Sequence, residues 1–271
     1  MKKLNLLPAL LLLIISFTAN SQKLPGTQQA SVFAPANVKA DGKIEEWNNQ
    51  LQAYNNATNI FYTLANDNNN LYLAVQATDP LIIRKIMIGG LTLTIDTGKK
   101  NNGTGVAITY PAFSVADRPI LNLNDKPASS KDKAQSNKAL DSFVYVINKL
   151  VQDRSKEVKV QGISSITDSL ISIYNENDIK VAARFDEQAN YVYELALPLK
   201  YFGSPAKFNY TITLSGSPQV DGTNIIRGPD GSVLKIQVLV GRGAPPIPNA
   251  AERNILGIPT YLKGEYTLAV K

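Results

Sequence analysis

Asn59-Ile-Phe-Tyr-Thr-Leu-Ala65 and Leu71-Tyr-Leu-Ala-Val-Gln-Ala-Thr78 stand on either side of Asn66-Asp67-Asn68-Asn69-Asn70, and this stretch decides the fold. Both flanks are rich in β-branched and aromatic residues. The run between them tolerates left-handed backbone, so the three pieces predict an antiparallel hairpin. A second hairpin is predicted where Ile179 to Phe185 and Tyr191 to Leu197 flank Asp186-Glu187-Gln188-Ala189-Asn190.

Outward from these hairpins the period stays close to two. Ile82 to Ile88 and Leu91 to Ile95 read as strands separated by a Gly89-Gly90 bulge or bend, and 98–105 reads as a turn-rich loop. Further strands are expected at Val158 to Ile163, Ser169 to Tyr174, Phe208 to Leu214, Val233 to Val240 and Gly264 to Val270. One segment breaks the pattern: Leu140, Phe143, Val144, Ile147, Leu150 and Val151 recur at helical spacing. With the polar stretch before it, this predicts a helical insertion around 126–156. The fold class expected is all-β, an antiparallel β-sandwich with one inserted amphipathic helix.

At the N-terminus, Lys2 and Lys3 precede an apolar run from Leu6 to Phe17 and then Thr18-Ala19-Asn20-Ser21. That order predicts a cleaved signal peptide over 1–21, hence an exported protein of the periplasm, outer cell surface or extracellular space. The apolar run is too short to cross a hydrocarbon core of about 30 Å, and no later segment is apolar enough to span a membrane. Residues 22–36, polar with two prolines, read as a flexible linker, and 37–271 as a single sandwich domain. Loss of Lys2 and Lys3 lowers the formal charge from +6 to +4. The charge clusters at 126–138 and 153–159 mix both signs, so nucleic acid is not an expected partner.

The chain has neither cysteine nor histidine. Disulfides, imidazole bases and zinc sites of the ordinary kind are thereby excluded, and neither a metal site nor a cofactor is expected. Paired carboxylates, Ser-Lys pairs and oxygen-ligated metals survive as mechanisms, with Glu45, Glu46, Asp79, Asp96 and Glu194 as the candidate carboxylates and Glu194 the most interior in character. Met87 reads as a core residue. The loop Gly241-Arg-Gly-Ala-Pro-Pro-Ile-Pro248 is stiffened by proline and suits the rim of a ligand site. Tyr54, Tyr110, Phe113 and Tyr201 fall in or near predicted loops, where rings stack on sugars; with Arg242 they form the expected ligand-binding set.

Asp41-Gly-Lys-Ile-Glu-Glu-Trp47, Asn70-Leu-Tyr-Leu-Ala-Val-Gln-Ala-Thr-Asp79, Leu91-Thr-Leu-Thr-Ile-Asp96 and Tyr193-Glu-Leu-Ala-Leu-Pro198 together resemble the family 9 carbohydrate-binding modules and the wider DOMON-like sandwiches, in the manner of a Bacteroidetes-type exported protein. The resemblance covers roughly 38–98 and 178–214. It implies structural roles for Asp41, Gly42, Trp47, Asp79 and Asp96, with Trp47 packed beneath the sandwich. Sugar-binding members carry a stacking tryptophan and an acid at the places of Ile86 and Thr92, so the resemblance implies the fold without that sugar site.

The expected function is therefore an exported, non-enzymatic binding module for carbohydrate or another extracellular ligand. The alternatives are a structural or interaction protein of the cell envelope and, third, a carboxylate-based glycoside hydrolase. Asp168-Ser169-Leu170 also resembles a short acceptor for O-linked glycans in some exported proteins.

Overall fold

In the computed structural model, residues 23–96, 105–114, 117–119, 121–128, 133–217, 223–227, 233–238 and 248–271 are described. The expected signal peptide, Arg242 and the rest of the loop at 241–247 lie outside them. The strands are β1 (Ala53–Asn55), β2 (Ile60–Asn66), β3 (Asn70–Ala77), β4 (Leu91–Asp96), β5 (Val106–Tyr110), β6 (Glu157–Gln161), β7 (Leu170–Ser172), β8 (Lys180–Phe185), β9 (Tyr191–Pro198), β10 (Lys207–Leu214), β11 (Thr223–Arg227), β12 (Val233–Val238) and β13 (Thr260–Thr267). The helices are α1 (Pro80–Gly89), α2 (Lys133–Arg154) and α3 (Ala250–Gly257).

Both predicted hairpins form, as β2–β3 and β8–β9, and they join through β3 and β9. The result is one antiparallel sheet in the order β1-β2-β3-β9-β8, facing a second in the order β13-β10-β4-β5-β6-β7. Alternate residues of each sheet enter a common core: Tyr62, Leu64, Leu73, Val75, Tyr193 and Leu195 from the first, Leu93, Ile95, Ile108, Tyr210 and Ile212 from the second. This is a β-sandwich. Among the described residues β11 and β12 pair only with each other.

The first sheet carries another layer on its outer face. Residues 38–51 cross that face as a strap, and Ile44, Trp47 and Leu51 bury Ala65, Tyr72, Ala74, Val192 and Ala196 beneath them. β9 is consequently buried along its whole length. Residues 23–36, expected as a flexible linker, also belong to the packed structure. Gln28 is 5% exposed; its side chain bonds Leu64 N and O at 2.7 Å each, and its own N–H donates to the Tyr62 hydroxyl. A polar composition therefore concealed a segment that satisfies the backbone of a neighbouring strand.

A second correction concerns 82–88. The apolar run is the body of α1, not a strand, and Gly89-Gly90 ends that helix instead of forming a bulge. Asp79 caps it, its Oδ1 accepting from Leu81 N at 2.7 Å, and Pro80 occupies the first turn. Close packing explains Gly89: a Cβ there would lie 2.4 Å from the Gly216 backbone. Met87 is in the core, 1% exposed.

α2 falls between β5 and β6, which are neighbours in the second sheet. Ile147 and Val151 pack it into the core, and one side chain hydrogen-bonds it to the other sheet. Asn148 Nδ2 donates to Phe185 O at 2.9 Å, while Phe185 N donates to Asn148 Oδ1 at 2.7 Å. Phe185 lies on β8, an edge strand, so one amide satisfies both its open backbone groups as a further strand would.

Candidate functional site

The resemblance-bearing segment 41–47 is held down by a single carboxylate. Glu194, 2% exposed on the outer face of β9, accepts Asp41 N, Gly42 N and Lys43 N at Oε2 (3.1, 3.0 and 3.2 Å) and Trp47 Nε1 at Oε1 (2.9 Å). Three successive N–H groups converging on one oxygen form a nest of partial positive charge. Burial nonetheless lifts the Glu194 pKa to about 7, against the opposing pull of those four donors. Gly42 is required at its place: its φ is +83°, and a Cβ would press within 2.9 Å of the Arg184 stem.

The strap divides the outer face in two. On one side, β-sheet register sets Tyr54 opposite Phe61, Phe61 opposite Gln76, Gln76 opposite Val192 and Val192 opposite Arg184. These five residues make one row crossing every strand of the sheet, roughly 19 Å long at the usual strand spacing. Two hollows of about 450 and 330 Å³ lie along it and share Asn49 and Gln76. Tyr54 and Phe61 pack as a tilted pair with centroids 4.6 Å apart at one end. Asn48 and Asn49 both adopt left-handed backbone, φ 53° and 52°, and so turn the strap along the groove. The side chains of Asn49, Gln50, Gln52 and Arg184 line this groove and make no hydrogen bond within the described residues. Gln76 donates to Asp186, which is committed to the β8–β9 turn.

On the other side of the strap lies a wider groove of about 790 Å³, floored by Ala196, Pro198 and Leu199 and edged by the Asn68–Asn70 turn. Tyr72 sits at its base, its hydroxyl donating to Asp67 at 2.8 Å; burial and that carboxylate push its pKa up to about 12.

The residues expected to bind ligand do not gather in one place. Tyr54 belongs to the first groove's row. Tyr110, expected in a loop, ends β5 inside the core at 3% exposure, donates to Ser155 O at 3.3 Å, and is raised to about 12 by burial; it offers no platform. Phe113 packs against the same core. Tyr201 follows β9 in a short 3-10 turn, its hydroxyl committed to Asn177 O at 2.7 Å. Phe61, Gln76 and Arg184 are the groove residues that sequence reasoning missed. The signal was present in the strand alternation, which puts each on its strand's outward face, but the register joining them was not.

The family-type sugar positions are equally scattered. Ile86 is fully buried in α1, and Thr92 faces outward on the opposite sheet, its hydroxyl 2.7 Å from that of Thr109. The candidate acids lie on different elements, Glu45 and Glu46 in the short 3-10 turn of the strap that ends at Trp47. Asp96 is on the outward face of β4, Asp79 caps α1, and Glu194 lies beneath the strap with every bond taken by a donor. No group of three or more metal-ligating side chains occurs among the described residues. Comparison with protein-family models, with curated proteins and with solved structures found no match.

Proposed function

We propose that the protein is an exported, non-enzymatic binding module that lays a carbohydrate chain along the groove beside Tyr54, Phe61, Gln76 and Arg184, with Val192 buried under the strap in the same row. The observation that carries this reading is the register that aligns them. An extended row of apolar ring, amide and guanidinium beside three further amides is the chemistry that holds sugar hydroxyls without transforming them. The carbohydrate-binding-module resemblance supports the same class, at a site other than the family's own.

Titration calorimetry of neutral oligosaccharides, chosen from a glycan array, tests the proposal. Arg184→Ala and Gln52→Ala, each truncating a partly or fully exposed side chain, should each weaken binding about tenfold, a loss of about 1.4 kcal/mol. Absence of binding to every glycan, or unchanged affinity in both variants, would overturn it.

A second reading, an interaction protein of the cell envelope, is favoured by Tyr145 and Val146, which stand 70% and 61% exposed on the outer surface of α2. It expects crosslinking in intact cells to recover one constant partner, lost in a Tyr145→Ser, Val146→Ser variant.

A further inference from the structure

We infer that the wider groove on the far side of the strap is a second, separate site that takes an acidic saccharide. Three lysines reach it from three parts of the chain: Lys39 from the strap, Lys180 from β8 and Lys200 from the turn after β9. Asp178 is the single carboxylate among the described residues of the lining, and it is spent on Lys200 at 3.7 Å. Lys39 and Lys180 have no carboxylate within 4.0 Å among the described residues. The lining therefore carries an excess of two positive charges over an apolar floor.

The amides beside those lysines decide the class of anion. Asn68 and Asn69 project from the β2–β3 turn with side chains that make no hydrogen bond within the described residues. Asp67 explains why they are free: its Oδ1 accepts Asn69 N and Asn70 N at 2.7 Å each, so the turn needs nothing from the two amides. A bare phosphate or phosphodiester is chiefly an acceptor and would engage the lysines and the amide N–H groups, leaving the amide oxygens without a donor. A sugar chain bearing carboxylates or sulfate esters would use both sets, acid on ammonium and hydroxyl on amide. The groove is also large enough for several residues of such a chain.

This inference does not rest on the neutral-glycan groove, and its test keeps the two apart. Calorimetry on the full chain would compare a trigalacturonate, a sulfated galactan oligomer, the uncharged galactan oligomer and phosphatidylglycerol vesicles. Binding of either acidic oligomer over the uncharged one is expected, weakening severalfold between 50 and 200 mM salt, an interval over which exposed charge pairs are progressively screened. The uronate and sulfate arms identify which acid is preferred. Lys39→Ala with Lys180→Ala, both on exposed side chains, should cost at least tenfold, and Lys180→Glu should abolish binding. Arg184→Ala, in the other groove, should leave it unchanged. Equal binding of charged and uncharged oligomers, wild-type affinity in the double lysine variant, or binding of vesicles without either acidic oligomer would each overturn the inference.

Discussion

Glu194 anchors the strap, because Asp41 N, Gly42 N and Trp47 Nε1 have no other acceptor among the described residues, and only Lys43 N has a second, Asp41 Oδ1 at 3.1 Å. Glu194→Ala should cost about 3 kcal/mol in urea unfolding, the range found when buried polar partners are orphaned. Its titration gives a second expectation. The folded-state pKa is raised from the ordinary 4.5 to about 7, so the folded protein binds this proton more tightly than the unfolded chain does. The contribution is fully present below pH about 4.5 and is lost as pH rises through about 7. Wild-type stability should therefore decline relative to Glu194→Gln across that window; a difference that stays constant from pH 4.5 to 7 would contradict the assignment. Gly42→Ala, forced into left-handed backbone against the Arg184 stem, should destabilise by 1 kcal/mol or more, approximately, on the same measurement. The pairing itself was not legible beforehand. Trp47 read as a core ring and Glu194 as the most interior acid, but 147 residues separate them and nothing local connects the two.

At the level of elements, α1 shows where pattern reading fails and why. Ile82, Ile83, Ile86 and Ile88 are β-branched and crowd one run, which favours strand by propensity, and seven residues, five of them apolar, are too few for period to arbitrate. The deciding cue was the Asp79-Pro80 pair, an N-cap followed by a first-turn proline. Asp79→Ala should accordingly lower stability by about 1 kcal/mol. By contrast α2 was legible from its spacing, though its anchorage was not, since an asparagine pairing with a strand edge leaves no periodic trace. Asn148→Ala should expose both open groups of Phe185, cost about 2 kcal/mol, and raise hydrogen exchange at the Phe185 amide ahead of the β3 and β9 amides.

Across the whole molecule, the sandwich was readable because its hairpins declare themselves through Asn- and Asp-rich turns at 66–70 and 186–190. The outer layer was not, because the segments that build it, 23–36 and 38–51, are polar and irregular and acquire meaning only against a sheet formed by residues far along the chain. The same layer explains why alternation fades in β9, which has an apolar environment on both faces. Site residues followed this division. Loop aromatics were sought, and the grooves are instead made by strand faces bounded by a strap. Occupancy of either groove should stabilise the whole fold, by about 2.7 kcal/mol at a hundredfold excess over Kd, read as a rise in the thermal midpoint.

Trp47 is the only tryptophan in the chain, and its indole donates to the carboxylate that pins the strap between the two grooves. Its ultraviolet emission is therefore an intrinsic optical gauge of that seam. Detachment of the strap by acid, denaturant or ligand should shift the emission to longer wavelength with no label attached, and a single spectrum can follow both grooves from the wall they share.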